Sequence, residues 1–166
     1  LIPTDRVAET IVSKKGKEVD LWYSGKHQEH GGNIQFLAAP DGFPLWTSDV
    51  RPASVPDIEA ARELVPTALH KAARDGLKSL ADKGYQGAGA GVLVPVKRQA
   101  NSIPLHDDNR TYNSLLAPLR ALGERAMALL KTRWKTLQRI TLNPSRTGDI
   151  TRACLVPTQF EHSRTH

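Results

Sequence analysis

Two carboxylates stand where chemistry could be done. Asp82 lies in Ser79-Leu80-Ala81-Asp82-Lys83-Gly84-Tyr85, at the end of a short apolar run that reads as a buried strand. A carboxylate at the C-terminal end of a strand in an α/β sheet is placed for catalysis or metal binding. The same Asp before Lys-Gly is equally suited to an Asx turn. Glu124 lies in a long helical pattern, four residues after Arg120 and seven before Lys131. At roughly 100° per residue the three fall within about 40° of one another around the axis. One helix edge thus carries a carboxylate between two cations, suited to a metal ion and to phosphates. The plainer alternative is an exposed Arg120–Glu124 pair worth ~0.2–0.5 kcal/mol. His27 and His30 form an H-x-x-H pair after Lys26, but no third and fourth ligand presents itself for zinc. Gly87-Ala88-Gly89-Ala90-Gly91 is no phosphate loop, because no Lys-Ser/Thr follows.

The elements that position these residues read as follows. Leu1 to Val7 contains the end of a strand, and Lys14 to Lys17 an exposed turn. Asn33 to Leu37 alternates polar and apolar as a strand does. Pro40-Asp41-Gly42 then turns the chain into a returning strand at Pro44 to Ser48, giving an antiparallel hairpin. Asp57 caps a helix whose apolar stripe is Ile58, Ala61, Val65, Leu69 and Ala72 and which Gly76 stops. Gly87, Gly89 and Gly91 read as a flexible stretch, Val92 to Val94 as a strand and residues 97–109 as a polar loop. The longest helix is expected from Tyr112 to Ile140, with Leu115, Leu119, Leu122, Ala126, Leu130 and Leu137 on its buried face. Pro118 argues for a late start or a kink. A last short helix runs from Ile150 to Val156, limited by Pro157. Mixed strands and helices imply an α/β fold around one mixed sheet.

The 166 residues suit one domain. No stretch approaches the ~18 apolar residues of a membrane span, and no signal-peptide pattern opens the chain. Cys154 is the only cysteine, which excludes an intramolecular disulfide and a multi-thiolate zinc site; it reads as a small buried residue. The net charge is +6, yet between Lys97 and Arg152 eleven cations face four acids, so this segment is +7 and the remainder −1. Such asymmetry points to a polyanion, most often nucleic acid, or else to a solvated Arg-rich helix face. With 5% aromatic residues, Trp22, Trp46 and Trp134 read as packing residues rather than as a base-stacking surface.

Several strings in order resemble a known family. They are Tyr23-Ser24-Gly25-Lys26-His27, Asn33 to Gly42, Trp46-Thr47-Ser48-Asp49-Val50-Arg51-Pro52-Ala53-Ser54-Val55-Pro56-Asp57-Ile58, Leu80 to Tyr85, and Arg120-Ala121-Leu122-Gly123-Glu124-Arg125 running on to Lys131. The set resembles the DDE transposases of bacterial insertion sequences, in the Harbinger-related branch. The resemblance implies a ribonuclease-H-like mixed sheet with packed helices. It implies three carboxylates holding two Mg²⁺ or Mn²⁺ ions for in-line phosphoryl transfer on DNA. Asp82 matches the second carboxylate and Glu124 the third. Asp57 matches an acidic position beside the site and is a further candidate metal ligand. Lys26, Arg120, Arg125, Lys131 and Lys135 are the expected DNA contacts.

The sequence also departs from the family. The first catalytic Asp belongs to an Asp-Gly-Thr motif that would fall just before Leu1, and Asp5 is no substitute because it lies further along. Pro56 stands where the family usually has His, and Pro157 where related chains continue a helix. The expectation is therefore a catalytic domain over residues 1–160, with its first strand incomplete and a disordered tail at 161–166. Its expected role is DNA cleavage and strand transfer in transposition, inactive as this chain alone, with bacterial DNA and a second copy of itself as partners in the cytoplasm. The alternatives are a non-catalytic basic DNA-binding remnant and a two-metal nuclease unrelated to transposition.

Overall fold

The computed structural model describes residues 1–13, 16–64, 66–89, 91–98 and 104–165. Lys14 and Lys15 of the expected turn, Val65 of the helix stripe and residues 99–103 of the expected loop lie outside them. The fold is mixed α/β. Its centre is β5 (Glu29–Ala38), which pairs antiparallel with β1 (Ile2–Pro3), β4 (Tyr23–Ser24) and β6 (Pro44–Pro52). The expected hairpin is β5–β6. Asp41 Oδ1 accepts the Phe43 N–H at 2.8 Å in its turn. β2 (Thr10–Val12) and β3 (Glu18–Asp20) form a separate antiparallel hairpin. β7 (Ser79–Leu80) and β8 (Val92–Leu93) form a separate parallel pair. The single mixed sheet of the sequence reading is thus three sheets among the described residues.

The core lies on one face of β5. Ile2, Ile34, Leu130, Leu137, Ile140, Cys154 and Leu155 pack together, with Val50, Trp134 and Ile150 against them. These come from the sheet, from the second half of α3 (Asp107–Arg133), from the segment after it that holds Leu137 and Ile140, and from α4 (Thr147–Thr165). β6 and α4 approach so closely that a Cβ on Gly32 would lie 2.6 Å from Val50 Cγ2 on the strand and 3.0 Å from Thr147 Cβ on the helix. Cys154 is buried as expected, and burial pushes its thiol pKa up.

Several expected elements differ. The helix from Asp57 is two helices, α1 (Asp57–Leu64) and α2 (Pro66–Arg74). Proline lacks an N–H and suits a first helical position, so Pro66 begins a new helix. The run before Asp82 is not buried: Leu77 and Leu80 are exposed, because β7 pairs with β8 and not with the central sheet. Of the glycines after it, Gly87 lies against Arg62 of α1 and Gly89 and Gly91 against α2, where a Cβ on Gly91 would collide with that of Ala73. Trp22 and Trp134 pack inside, but Trp46 is exposed on β6.

α3 begins earlier and ends earlier than the stripe suggested. His106 Nδ1 accepts the Asp108 N–H at its start. The Asn113 amide then ties the helix to both backbone groups of Val96, at 2.8 and 3.0 Å. Leu115 is 67% exposed and Leu119 49% exposed, while Leu116, Ala126, Leu130 and Leu137 are buried. The first half of the helix lies beside the β7 unit and the second half on the core. α4 runs through Pro157, although proline removes a helical donor. Its buried positions Thr147, Thr151, Cys154, Leu155 and Thr158 recur at helical spacing against the sheet. That packed face carries the helix past the proline.

The helix also continues through 161–165, where the sequence reading had a disordered tail. Glu161 pairs with Arg133, and His162 stacks on Phe43 at 3.9 Å. Truncating leucines distinguishes the exposed first half of α3 from its second half and the 3-10 turn Lys135–Leu137 that follows. Leu130→Ala and Leu137→Ala are each expected to cost ~2–5 kcal/mol in urea unfolding, and Leu115→Ala about 0.5 kcal/mol or less.

Candidate active site

Asp82 follows β7 and caps a 3-10 turn at Lys83–Tyr85, its Oδ1 accepting the Lys83 N–H at 2.7 Å. The Asx-turn role is therefore real. The same oxygen also accepts from Arg120 Nη2 on α3 at 2.5 Å. The two roles are compatible because the side chain is half-exposed and reaches out of its turn. Arg120 thus pairs with a residue 38 positions away, and not with Glu124 one turn along its own helix. Its Nε is buried without a hydrogen-bond partner among the described residues. Glu124 is exposed on α3 and makes no hydrogen bond or ion pair among the described residues.

Asp57 is the first residue of α1, but its carboxylate does not cap that helix. Pro56 O accepts the Glu59 and Ala60 N–H groups. The Asp57 carboxylate faces β5 instead. Oδ1 accepts from Asn33 Nδ2 at 3.0 Å, and Oδ2 lies 3.5 Å from Lys26 Nζ. Beside it opens a cleft of about 340 Å³ lined by Ser24, Lys26, His27, Asn33, Asp57 and Gly84.

The two aspartates are linked through residues that sequence reasoning missed. Asn33 and Gln35 stand two apart on β5, hence on one face, opposite the apolar core. Both are buried. Asn33 Nδ2 also donates to Val55 O at 3.0 Å, and Gln35 Nε2 donates to Asn33 Oδ1 at 3.0 Å. Tyr85 donates its hydroxyl to Gln35 Oε1 at 2.6 Å. A register irregularity between β5 and β6 leaves the Gln35 N–H to Ser48 Oγ, at 2.9 Å. The available signal was a pair of amides at i, i+2 within a strand rich in buried neighbours. Burial, then the charge of Asp57 and more weakly that of Asp82, push the Tyr85 hydroxyl up to about 12. Tyr85 therefore lies between the two carboxylates and keeps its proton.

The expected DNA contacts are dispersed. Lys26 is at the cleft with Asp57, Arg120 is on Asp82, and Lys131 Nζ donates to Leu1 O at 3.2 Å. Arg125 lines a different groove of about 670 Å³ between α3 and α4, with Phe43, Leu129, Arg133, Glu161 and His162. Lys135 is exposed in the turn after α3. His27 lines the cleft, whereas His30 meets Asp20 at 2.9 Å with Tyr23 edge-on, so the two histidines do not act as a pair.

Much of the basic segment is neutralised within the chain. Arg110 pairs with Asp107, Arg133 with Glu161, Arg139 with Asp5, Arg146 with Asp149, and Arg152 with Asp49 and Asp149. Arg125 and Lys135 have no ion pair among the described residues.

The geometry defines a mixed α/β protein in which a turn-borne carboxylate meets a cation on a long helix, with a second carboxylate one turn beyond. A family model for the DDE superfamily endonucleases matches residues 6–158, and the chain belongs to that family. Searches of curated proteins and of solved structures give no match. DDE superfamily endonucleases act on DNA and generally use divalent metal ions.

The described residues do not close a site for such ions. The oxygen donors are of the right chemistry, but no group of three His, Cys, Asp or Glu side chains is placed to hold a metal ion among the described residues. Asp82 is instead engaged by Arg120, and Asp57 by Lys26 and Asn33. No helix among the described residues is long and apolar enough to cross a membrane.

Asn33→Ala strips partners from Gln35, Val55 and Asp57 at once. It is expected to cost ~1–3 kcal/mol in urea unfolding, against about 0.5 kcal/mol or less for Arg110→Ala. The Tyr85 shift also sets an alkaline limit. The unfolded chain loses this proton near pH 10 and the folded chain near 12, so between these values the native state binds more protons. The stabilisation is whole below pH 10 and disappears as pH rises through about 12. Urea midpoints measured from about pH 9 to 12 should fall for the wild type and fall less for Tyr85→Phe.

Proposed function

We propose that this chain is the catalytic domain of a DDE transposase, for metal-dependent cleavage of DNA and transfer of the cut strand in transposition. What carries the reading is the meeting of Asp82 with Arg120 on the helix that bears Glu124, within a chain matched by the family over residues 6–158. In this reading Asp82 and Glu124 are two carboxylates of the site, and Asp57 is an acidic neighbour held beside the cleft. Arg120, with one nitrogen on Asp82 and a buried donor unpartnered among the described residues, is suited to an anionic phosphate. Lys26 stands beside Asp57 and Lys131 beside Leu1, while Arg125 and Lys135 have no ion pair among the described residues. Mg²⁺ or Mn²⁺, two ions per site, belongs to this reading, as do a homodimer holding two DNA ends and work on bacterial nucleoid DNA.

A second reading has an observation of its own. Among the described residues the carboxylates do not converge on a metal site, which favours a chain that binds DNA as these 166 residues and cuts it little or not at all.

One experiment separates the readings. The chain, and the same chain preceded by whatever its gene encodes upstream of Leu1, are incubated with DNA carrying transposon ends in Mg²⁺ or Mn²⁺. The transposase reading expects cleavage by the longer protein that Asp82→Ala and Glu124→Ala each abolish. Cleavage indifferent to both changes overturns the site assignment. Binding with no cleavage by either form supports the binding-only reading. In the same binding assay, log K should fall linearly with log salt. Arg125→Ala and Lys135→Ala should each flatten the slope by about 0.9 for every phosphate that the variant no longer neutralises.

A further inference from the structure

Asp82 is carried by a unit that stands apart from the central sheet. β7 and β8 hydrogen-bond to each other, and neither joins the β5 ladder among the described residues. The position of Asp82 relative to Asp57 therefore depends on what fastens the turn after β7. Among the described residues three directed polar contacts do so. Arg120 pairs with Asp82 itself, but at a half-exposed carboxylate. Arg62 donates to Gly87 O at 2.9 and 3.3 Å, on the surface. Exposed charge contacts are weak and screened by salt. The third contact is Tyr85 to Gln35 Oε1, at 2.6 Å.

That third contact is of another kind. Gln35 is buried and held from two sides, its side-chain amide by Asn33 and its backbone N–H by Ser48. The acceptor is therefore already in place and cannot swing to follow the turn. Within the turn, Tyr85 N–H donates to Asp82 O at 2.9 Å. Fixing the Tyr85 ring thus fixes the backbone of Asp82 three residues earlier. The same amide chain continues through Asn33 to Asp57 Oδ1.

We propose that Tyr85 is the positioning residue for Asp82: its hydroxyl, donated to Gln35, fastens the Asp82 turn to the central strand and holds it in register with Asp57. The inference rests on the reading of Asp82 as a carboxylate of the reacting site. Tyr85 touches no reacting atom in this scheme. It acts by fixing the turn, and its high pKa keeps the donated proton in place across the physiological range.

The test is amide hydrogen exchange on the full 166-residue chain, read residue by residue by NMR. In Tyr85→Phe the amides of Ala81, Lys83 and Ala88, which bond within this unit, should exchange at least about tenfold faster. The amides of Thr4 and Ile140, bonded across the core sheet, should keep their wild-type rates. Gln35→Leu should loosen the same three amides. Because the two side chains act through one bond, the double variant should be no looser than either single variant. Equal acceleration everywhere, no acceleration in the turn, or additive effects of the two changes would overturn the proposal.

The exchange measurement involves neither DNA nor metal. Indifference of cleavage to Asp82→Ala would thus end the assignment of Asp82 to the reacting site while leaving these results to stand or fall separately.

Discussion

The rest of the structure depends on two buried amides. Asn33 and Gln35 sit on the face of β5 turned away from the apolar core, and both are closed off from water. A buried amide without partners costs free energy comparable to several net hydrogen bonds, so the surroundings have to supply them. They come from different places in the chain: Val55 and Asp57 at the entry to α1, and Tyr85 from the turn after Asp82. Ser48 on β6 satisfies the neighbouring backbone N–H. The network therefore draws two acidic segments to one strand. An apolar face would have held α1 by area alone, with no preference for where each carboxylate lands. Directional bonds set that preference.

Charge is arranged by the same rule of local satisfaction. The segment from Lys97 to Arg152 carries most of the positive charge, which by itself suggests an extended basic surface. In the folded chain several of these cations are matched by acids distant in sequence, among them Asp5, Asp49, Asp82 and Glu161. What remains for a polyanion is smaller and more specific than the composition implies. Exposed pairs of this kind contribute little to stability. Their larger effect is to decide which cations stay free to meet phosphate.

α3 joins the two regions. Its second half is part of the core through Ala126 and Leu130, while its first half leaves Leu115 and Leu119 in solvent and meets the β7 unit through Asn113 and Arg120. Arg120 thus stands where the helix passes from core to site, with Glu124 one turn nearer the core. A helix anchored through one half in a packed interior is a stiff support for a side chain at its middle.

The features legible in the sequence are local, and those it left open depend on partners remote in the chain. The turn at Pro40-Asp41-Gly42 and the hairpin around it follow from turn chemistry and alternation. The Asp82 turn follows from an Asp before Lys-Gly, and the buried second half of α3 from residues recurring at helical spacing. Each rests on neighbours within a few positions, so one sequence suffices to read it. Folding alone settled the rest. Alternation in β5 could not say that the polar face is buried as well as the apolar one. Spacing on α3 could not say that Arg120 turns to Asp82 and leaves Glu124, because Glu124 is the nearer acid along the chain. Helix-breaking by Pro157 was overridden by a face packed on the sheet, and the last residues became helical once Phe43 and Arg133 stood beside them. In each case the local preference is worth about a kilocalorie or a few, and burial or a buried hydrogen bond elsewhere is worth as much or more.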